Sequence, residues 1–203
     1  MDSQADRHDE GDQAWLRERA EAALGRIDAA TPARYRSTID VPAPISQWAS
    51  LGFKADGLAI VGRMGRGKTH LAWQAAKLWA TACLNESLIN GMPTLVAHRA
   101  TELFDALRPD SPQNPYAVLK AAKAAGLLIL DDVAAARPSE WTQERLYELV
   151  DERYVQELPL LITADVPPNA LAEFVGPRVA SRLTEMCTVH VVDGPDFRRA
   201  GAR

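Results

Sequence analysis

Eight consecutive residues, Gly62-Arg63-Met64-Gly65-Arg66-Gly67-Lys68-Thr69, combine glycines, a lysine and a hydroxyl at fixed spacing. They fit GxxxxGK[ST] at every defined position. Glycines let the backbone turn sharply, so that successive N–H groups can converge on one anion. Lys68 supplies a point charge suited to the β- and γ-phosphates of a nucleotide, and the Thr69 hydroxyl is a hard oxygen suited to Mg²⁺. A helix starting here would add the partial positive charge of its N-terminus.

A second group lies further along. Leu127-Leu128-Ile129-Leu130 is fully apolar and ends in Asp131-Asp132. In that layout the first carboxylate holds Mg²⁺ opposite Thr69, and the second polarises an attacking water. A lone Asp after a strand can equally cap a turn. Two adjacent acids in a chain that also carries the complete phosphate loop favour the first reading.

These groups need strands ending, and a helix beginning, at one edge of a sheet. The sequence has the required alternation. Strands are expected at Leu58–Val61, Thr94–His98, Leu127–Leu130, Leu160–Thr163 and Thr188–Val192. Helices are expected at Thr69–Asn85, Ala100–Leu107, Tyr116–Ala125, Glu140–Glu157, Asn169–Val175 and Pro177–Met186. Strands alternating with helices mean a parallel α/β sheet. Four of the five strands are almost wholly apolar, as expected when helices cover both faces. Ahead of this core, residues 1–12 read as a disordered acidic tail and residues 13–53 as a helical arm and irregular connector. The helix of that arm should run from Asp12 to about Ala30. Residues 198–203 form a basic tail.

The chain has 203 residues, 47% hydrophobic and 25% charged, which suits one globular domain with a sizeable core. Two cysteines, Cys83 and Cys187, are too few for a disulfide scaffold or a cysteine-based zinc site, and fit a reducing, cytoplasmic setting. No apolar run reaches the length of a membrane span. The net charge of −4 comes from the first twelve residues, which hold five acids and one arginine, so the body is neutral. A generic polyanion binder is thereby excluded, and any nucleic-acid contact must come from a local patch.

The stretches GRMGRGKTHLAWQAAK, LLILDDV, ERLYELVDERYVQELPLLITAD and GPRVASRL resemble the AAA+ ATPases of the DnaC/DnaI helicase-loader and IstB transposition-helper group. The resemblance runs from about Arg34 to Phe197. It implies a P-loop three-layer sandwich over residues 54–197, with a five-stranded parallel sheet, a short N-terminal helical arm and no helical lid domain. It also adds His70 to the nucleotide-binding set. It implies slow, DNA-stimulated ATP hydrolysis with Mg²⁺, in which Lys68 and Asp132 are catalytic. Asp165 stands where the group carries an asparagine sensor, a departure that sets a carboxylate near the γ-phosphate. Arg182 matches the finger that reaches the nucleotide of a neighbouring subunit, with Arg178 one turn earlier, so self-assembly is implied. Without the resemblance, two arginines at that spacing are a solvated helix face.

The implied partners are a replicative DNA helicase, or a transposase for an IstB-like helper, and single-stranded DNA. Arg108, Lys120, Lys123, Arg137 and Trp141 are the candidate DNA contacts. Trp141 could stack on a base or could staple its helix to the core. The helix around Trp15 and Leu16 could meet a partner or dock on its own domain. A P-loop small-molecule kinase and a nucleotide-binding adaptor without turnover are the alternative functions.

Overall fold

The computed structural model describes residues 3–85 and 91–193. The basic tail and the end of the expected ATPase domain lie outside these residues. The chain opens with a 28-residue helix, α1 (Ser3–Ala30). It begins at Ser3, ahead of the expected cap at Asp12.

The connector also holds more structure than expected. Residues 43–50 form α2 (Ala43–Ser50), with Ile45, Trp48 and Ala49 buried. Pro44 occupies the first turn, where a missing N–H costs nothing. The prolines that suggested irregular chain therefore start a helix. The Trp48 indole donates to the Asp56 carbonyl (3.0 Å), which ties α2 to the entry of the first strand.

From there the expected alternation follows. The elements are β1 (Gly57–Val61), α3 (Lys68–Leu84), β2 (Leu95–Arg99), α4 (Ala100–Ala106), α5 (Pro115–Ala124), β3 (Leu127–Asp131), α6 (Glu140–Val155), β4 (Leu160–Ala164), α7 (Leu171–Val175), α8 (Pro177–Met186) and β5 (Cys187–Val191). The five strands form one sheet in the order β2-β3-β4-β1-β5. Every pairing is parallel. β1 lies beside β4, and β3 lies on the far side of β4. All three ends from which the candidate groups emerge are thus adjacent.

Alternate residues of each strand enter two cores. Leu58, Ile60, Ile129 and Leu161 pack under α2, α3 and the end of α1, with Trp79 and Ile27. Ala59, Val61, Leu128, Leu130 and Ile162 pack on the other face with Leu103, Leu149, Val179 and Leu183. This is the three-layer arrangement expected from the apolar strands.

One core position is unusual. On α6, Leu146, Leu149, Val150 and Arg153 form the buried stripe, so an arginine occupies an apolar slot. Arg153 is fully buried and donates to the carbonyls of Ala122, Ala125 and Pro159. It thus ties the end of α5 and the start of β4 to α6, using carbonyls in place of a carboxylate. Burial lowers its pKa to about 10, still protonated at neutral pH.

Candidate functional site

The phosphate loop leaves β1 at Gly62 and enters α3 at Lys68. Gly67, at the cap of α3, has φ +83°, a conformation that side chains other than glycine's resist. A Cβ on Gly62 would collide with the Val192 carbonyl, so β5 closes against the loop there. Lys68 is buried, and its ammonium donates to the Arg63 carbonyl across the loop (3.1 Å). Arg63 and Met64 are exposed at the tip.

Asp131 ends β3 and faces the loop. Its Oδ1 accepts from the Thr69 hydroxyl at 2.8 Å and from the Thr163 hydroxyl at 2.6 Å. Thr163 Oγ1 in turn accepts from the Asp132 backbone N–H (2.8 Å). The Thr163 carbonyl accepts from Val133 N–H (2.9 Å). One residue of β4 therefore holds both acids. This role of Thr163 was missed in the sequence, where it reads as one more β-branched strand residue. The signal available was a hydroxyl in an otherwise apolar strand, Leu160–Ala164, that is buried along its whole length.

Asp132 adopts φ +59°, which an aspartate tolerates better than most residues. Its Oδ1 is buried without a hydrogen-bond partner among the described residues. Burial, then the charges of Asp165 and Asp131, push its pKa above the ordinary carboxylate range, while Lys68 and Arg99 pull it down. Arg99 is a second residue missed from sequence. It ends β2 in register with Asp131. Asp165 follows β4 directly, close enough for its charge to act on Asp132.

No group of three or more His, Cys, Asp or Glu side chains capable of holding a metal occurs among the described residues. The hard-oxygen pair Thr69–Asp131 still fits Mg²⁺, which is commonly held by one or two protein oxygens together with substrate phosphates. The donor set therefore suits a metal that arrives with a nucleotide.

His70 does not join the loop. Its Nε2 lies 2.7 Å from the Ser37 carbonyl, and its ring packs at a tilt on Tyr35. With Gln74, which donates to the Tyr35 and Ser37 carbonyls, it pins the connector to α3. His70 entered the nucleotide-binding set through the family resemblance, and its side chain is here engaged by the connector.

The finger candidates lie on α8. Arg182 Nε donates to Asp151 on α6 (3.0 Å), and its guanidinium lies 4.3 Å from the centre of the Tyr154 ring. Arg178 stacks on Tyr147 at 3.7 Å. Of the candidate DNA contacts, only Arg108 and Trp141 are brought together, with the guanidinium 5.6 Å from the ring centre. Trp141 packs edge-on against the core residue Phe104 at 6.2 Å, the arrangement of the staple reading. Lys123 is ion-paired with Glu148 (2.8 Å), while Lys120 and Arg137 are exposed.

With this geometry in place, comparison with known proteins decides the family. Residues 35–190 match the family of bacterial DnaA ATPase domains. The chain belongs to that family. The protein XkdC of the phage-like element PBSX of Bacillus subtilis is 26% identical over 148 residues, covering 68% of this chain and 50% of that protein. The chromosomal replication initiator DnaA of Nautilia profundicola is 30% identical over 125 residues, covering 62% of this chain and 26% of that one. The chain thus spans half or less of the length of these curated relatives. Among solved structures, the DnaC helicase loader superposes with a TM-score of 0.64 at 22% identity, covering 80% of this chain and 100% of that one. DnaA bound to AMPPCP and single-stranded DNA superposes with a TM-score of 0.58 at 22% identity, covering 76% of this chain and 46% of that one. The expected AAA+ P-loop fold is the fold found. As a member of the DnaA ATPase domain family, the chain carries its phosphate loop and acidic pair where that fold brings β1, β3 and β4 to one edge. No helix among the described residues is long and apolar enough to cross a membrane.

Proposed function

We propose that this protein is a DnaC-like helicase-loader ATPase, binding and hydrolysing ATP while acting on single-stranded DNA and a replicative helicase. The observation that carries the reading is the meeting of Lys68, Thr69 and Asp131 at one sheet edge, with Thr69 and Asp131 2.8 Å apart. Residues 62–69 would wrap the phosphates with backbone N–H groups, and Lys68 would exchange its bond to Arg63 for phosphate oxygens. Thr69 and Asp131 would hold Mg²⁺, which would supply positive charge for the phosphates. Asp132 would orient and accept a proton from the attacking water. Its raised pKa makes it a better base than an ordinary aspartate. Arg182 would complete the site from a second copy.

A second reading, a nucleotide-binding adaptor without turnover, is favoured by Asp165. Its carboxylate acts on Asp132 where the loader group has a neutral side chain. Steady-state ATP turnover with and without single-stranded DNA separates the two, together with mass spectrometry of co-purified proteins. The loader reading expects turnover raised by DNA and a helicase among the partners. Tight ATP binding with no turnover under either condition establishes the adaptor instead.

A further inference from the structure

Arg182 is held on a built support. Tyr147, Asp151 and Tyr154 are spaced by four and then three residues on α6, and so share one helical face. Arg178 and Arg182, four apart on α8, lie across that face in the same order. Arg178 stacks on Tyr147, and Arg182 sits between the Asp151 carboxylate and the Tyr154 ring. The support is itself fixed, because the Tyr154 hydroxyl donates to Glu185 on α8 (2.7 Å). An open groove of about 760 Å³ runs beside it, with Tyr147, Asp151 and Arg178 in its walls.

The bond to Asp151 uses Nε. It leaves the two terminal nitrogens, the fork that grips phosphate oxygens, uncommitted to that carboxylate. Glu185 forms a looser ion pair with Nη1, at 4.0 Å. An arginine merely neutralised by a neighbour has no need of an aromatic face as well. Carboxylate on one edge and ring beneath restrict a long side chain to one orientation.

We propose that Asp151 and Tyr154 are positioning residues for Arg182, holding its guanidinium ready for the nucleotide phosphates of a second copy. The inference rests on the reading of Arg182 as a finger acting between subunits. Positioning removes the ordering cost at the moment of reaction, and a small misplacement of a reacting group can lower a rate about 100-fold.

A double-mutant cycle in the full-length chain tests it. ATP turnover is measured for wild type, Asp151→Ala, Arg182→Ala and the double variant, with Asp151→Asn and Tyr154→Leu as milder changes. Asp151→Ala is expected to lower kcat about 10–100-fold with KM for ATP unchanged. Asp151→Asn, whose amide oxygen can still accept from Nε, should recover part of the loss, and Tyr154→Leu should fall between. In the Arg182→Ala background, Asp151→Ala should have no further effect, because the residue it positions is gone. If Asp151→Ala slows that background by the same factor as wild type, Asp151 supports the fold only, and the positioning role is overturned. If Arg182→Ala itself turns over normally, or wild type does not turn over at all, the finger reading has failed and the inference goes with it.

Discussion

Lys68 lies 9% exposed among the ends of buried strands, whereas the Arg182 side chain keeps 32% of its surface open on the outside of α8. The first cation belongs to a centre assembled from short bonds within one sheet edge: Lys68 to Arg63, Thr69 to Asp131, Thr163 to both acids. The second lies on a helix face, held by partners on another helix and open on one side. The first region has what binding a nucleotide needs. The second has an arginine held by Asp151 and Tyr154, with Arg178 one helical turn away. Under the proposed loader reading, the two would be complementary halves of one site, each contributed by a different copy.

The largest expected effect breaks that comparison in the second region. Arg182→Ala should lower ATP turnover by about 10³-fold or more, the scale of fingers in other P-loop enzymes, with ATP affinity nearly unchanged. Stopped turnover assays with a parallel titration of ATP check both halves. Equal losses in affinity and turnover would place Arg182 within its own subunit's binding site.

In the first region, Lys68→Ala should weaken ATP binding by roughly 10–100-fold, the worth of a charge-assisted hydrogen bond to a buried phosphate. The melting temperature without nucleotide should change little. Calorimetric titration that finds wild-type affinity contradicts the site.

Thr163→Val keeps the shape of the β4 side chain but removes its hydroxyl. The Asp132 N–H then loses its acceptor, and Asp131 loses one of its two donors. A destabilisation of roughly 1–3 kcal/mol is expected in denaturant unfolding, with Mg²⁺-dependent ATP binding weakened at the same time. A stability equal to wild type would show that the net around the acids is replaceable by water.

The smallest effect sharpens the electrostatics. Asp132 has a raised pKa in the fold, so the native state holds its proton more tightly than the unfolded chain does. Its contribution to stability is present below the ordinary carboxylate pKa and is lost as pH rises through the raised value. Asp132→Asn, which also tolerates φ +59°, should therefore raise the melting temperature at pH 7 in the absence of nucleotide. The gain should shrink as pH falls into the ordinary carboxylate range. Melting curves across that range check the sign.

The two regions also differ in how far the sequence displays them. The phosphate loop is legible because its chemistry is done by backbone and by adjacent residues, so spacing alone carries it. Asp131 is legible because a second acid follows it directly, at the end of an apolar strand in a chain that also carries the complete phosphate loop. The alternation of strands and helices was readable for the same local reason, to within a residue or two at each boundary. Thr163 and Arg99 were not legible. Their roles arise from strand order, which places β4 and β2 on either side of β3, and no local pattern states that order. Helix α2 was hidden by its own prolines, since a proline marks a helix start as readily as a break. The burial of Arg153 was not legible either, because three of its four carbonyl partners come from about 30 residues upstream. The support beneath Arg182 likewise depends on α6 and α8 lying side by side.

The central claim, that the two regions form one site across two copies, is tested most directly by mixing variants. Lys68→Ala holds ATP much more weakly but keeps Arg182, and Arg182→Ala holds ATP but lacks the guanidinium. ATP turnover of each alone is compared with that of an equimolar mixture at the same total concentration, in the presence of single-stranded DNA. The account predicts that the mixture regains turnover well above either variant. A mixture as inactive as its components, with wild-type turnover strictly linear in protein concentration, would contradict it.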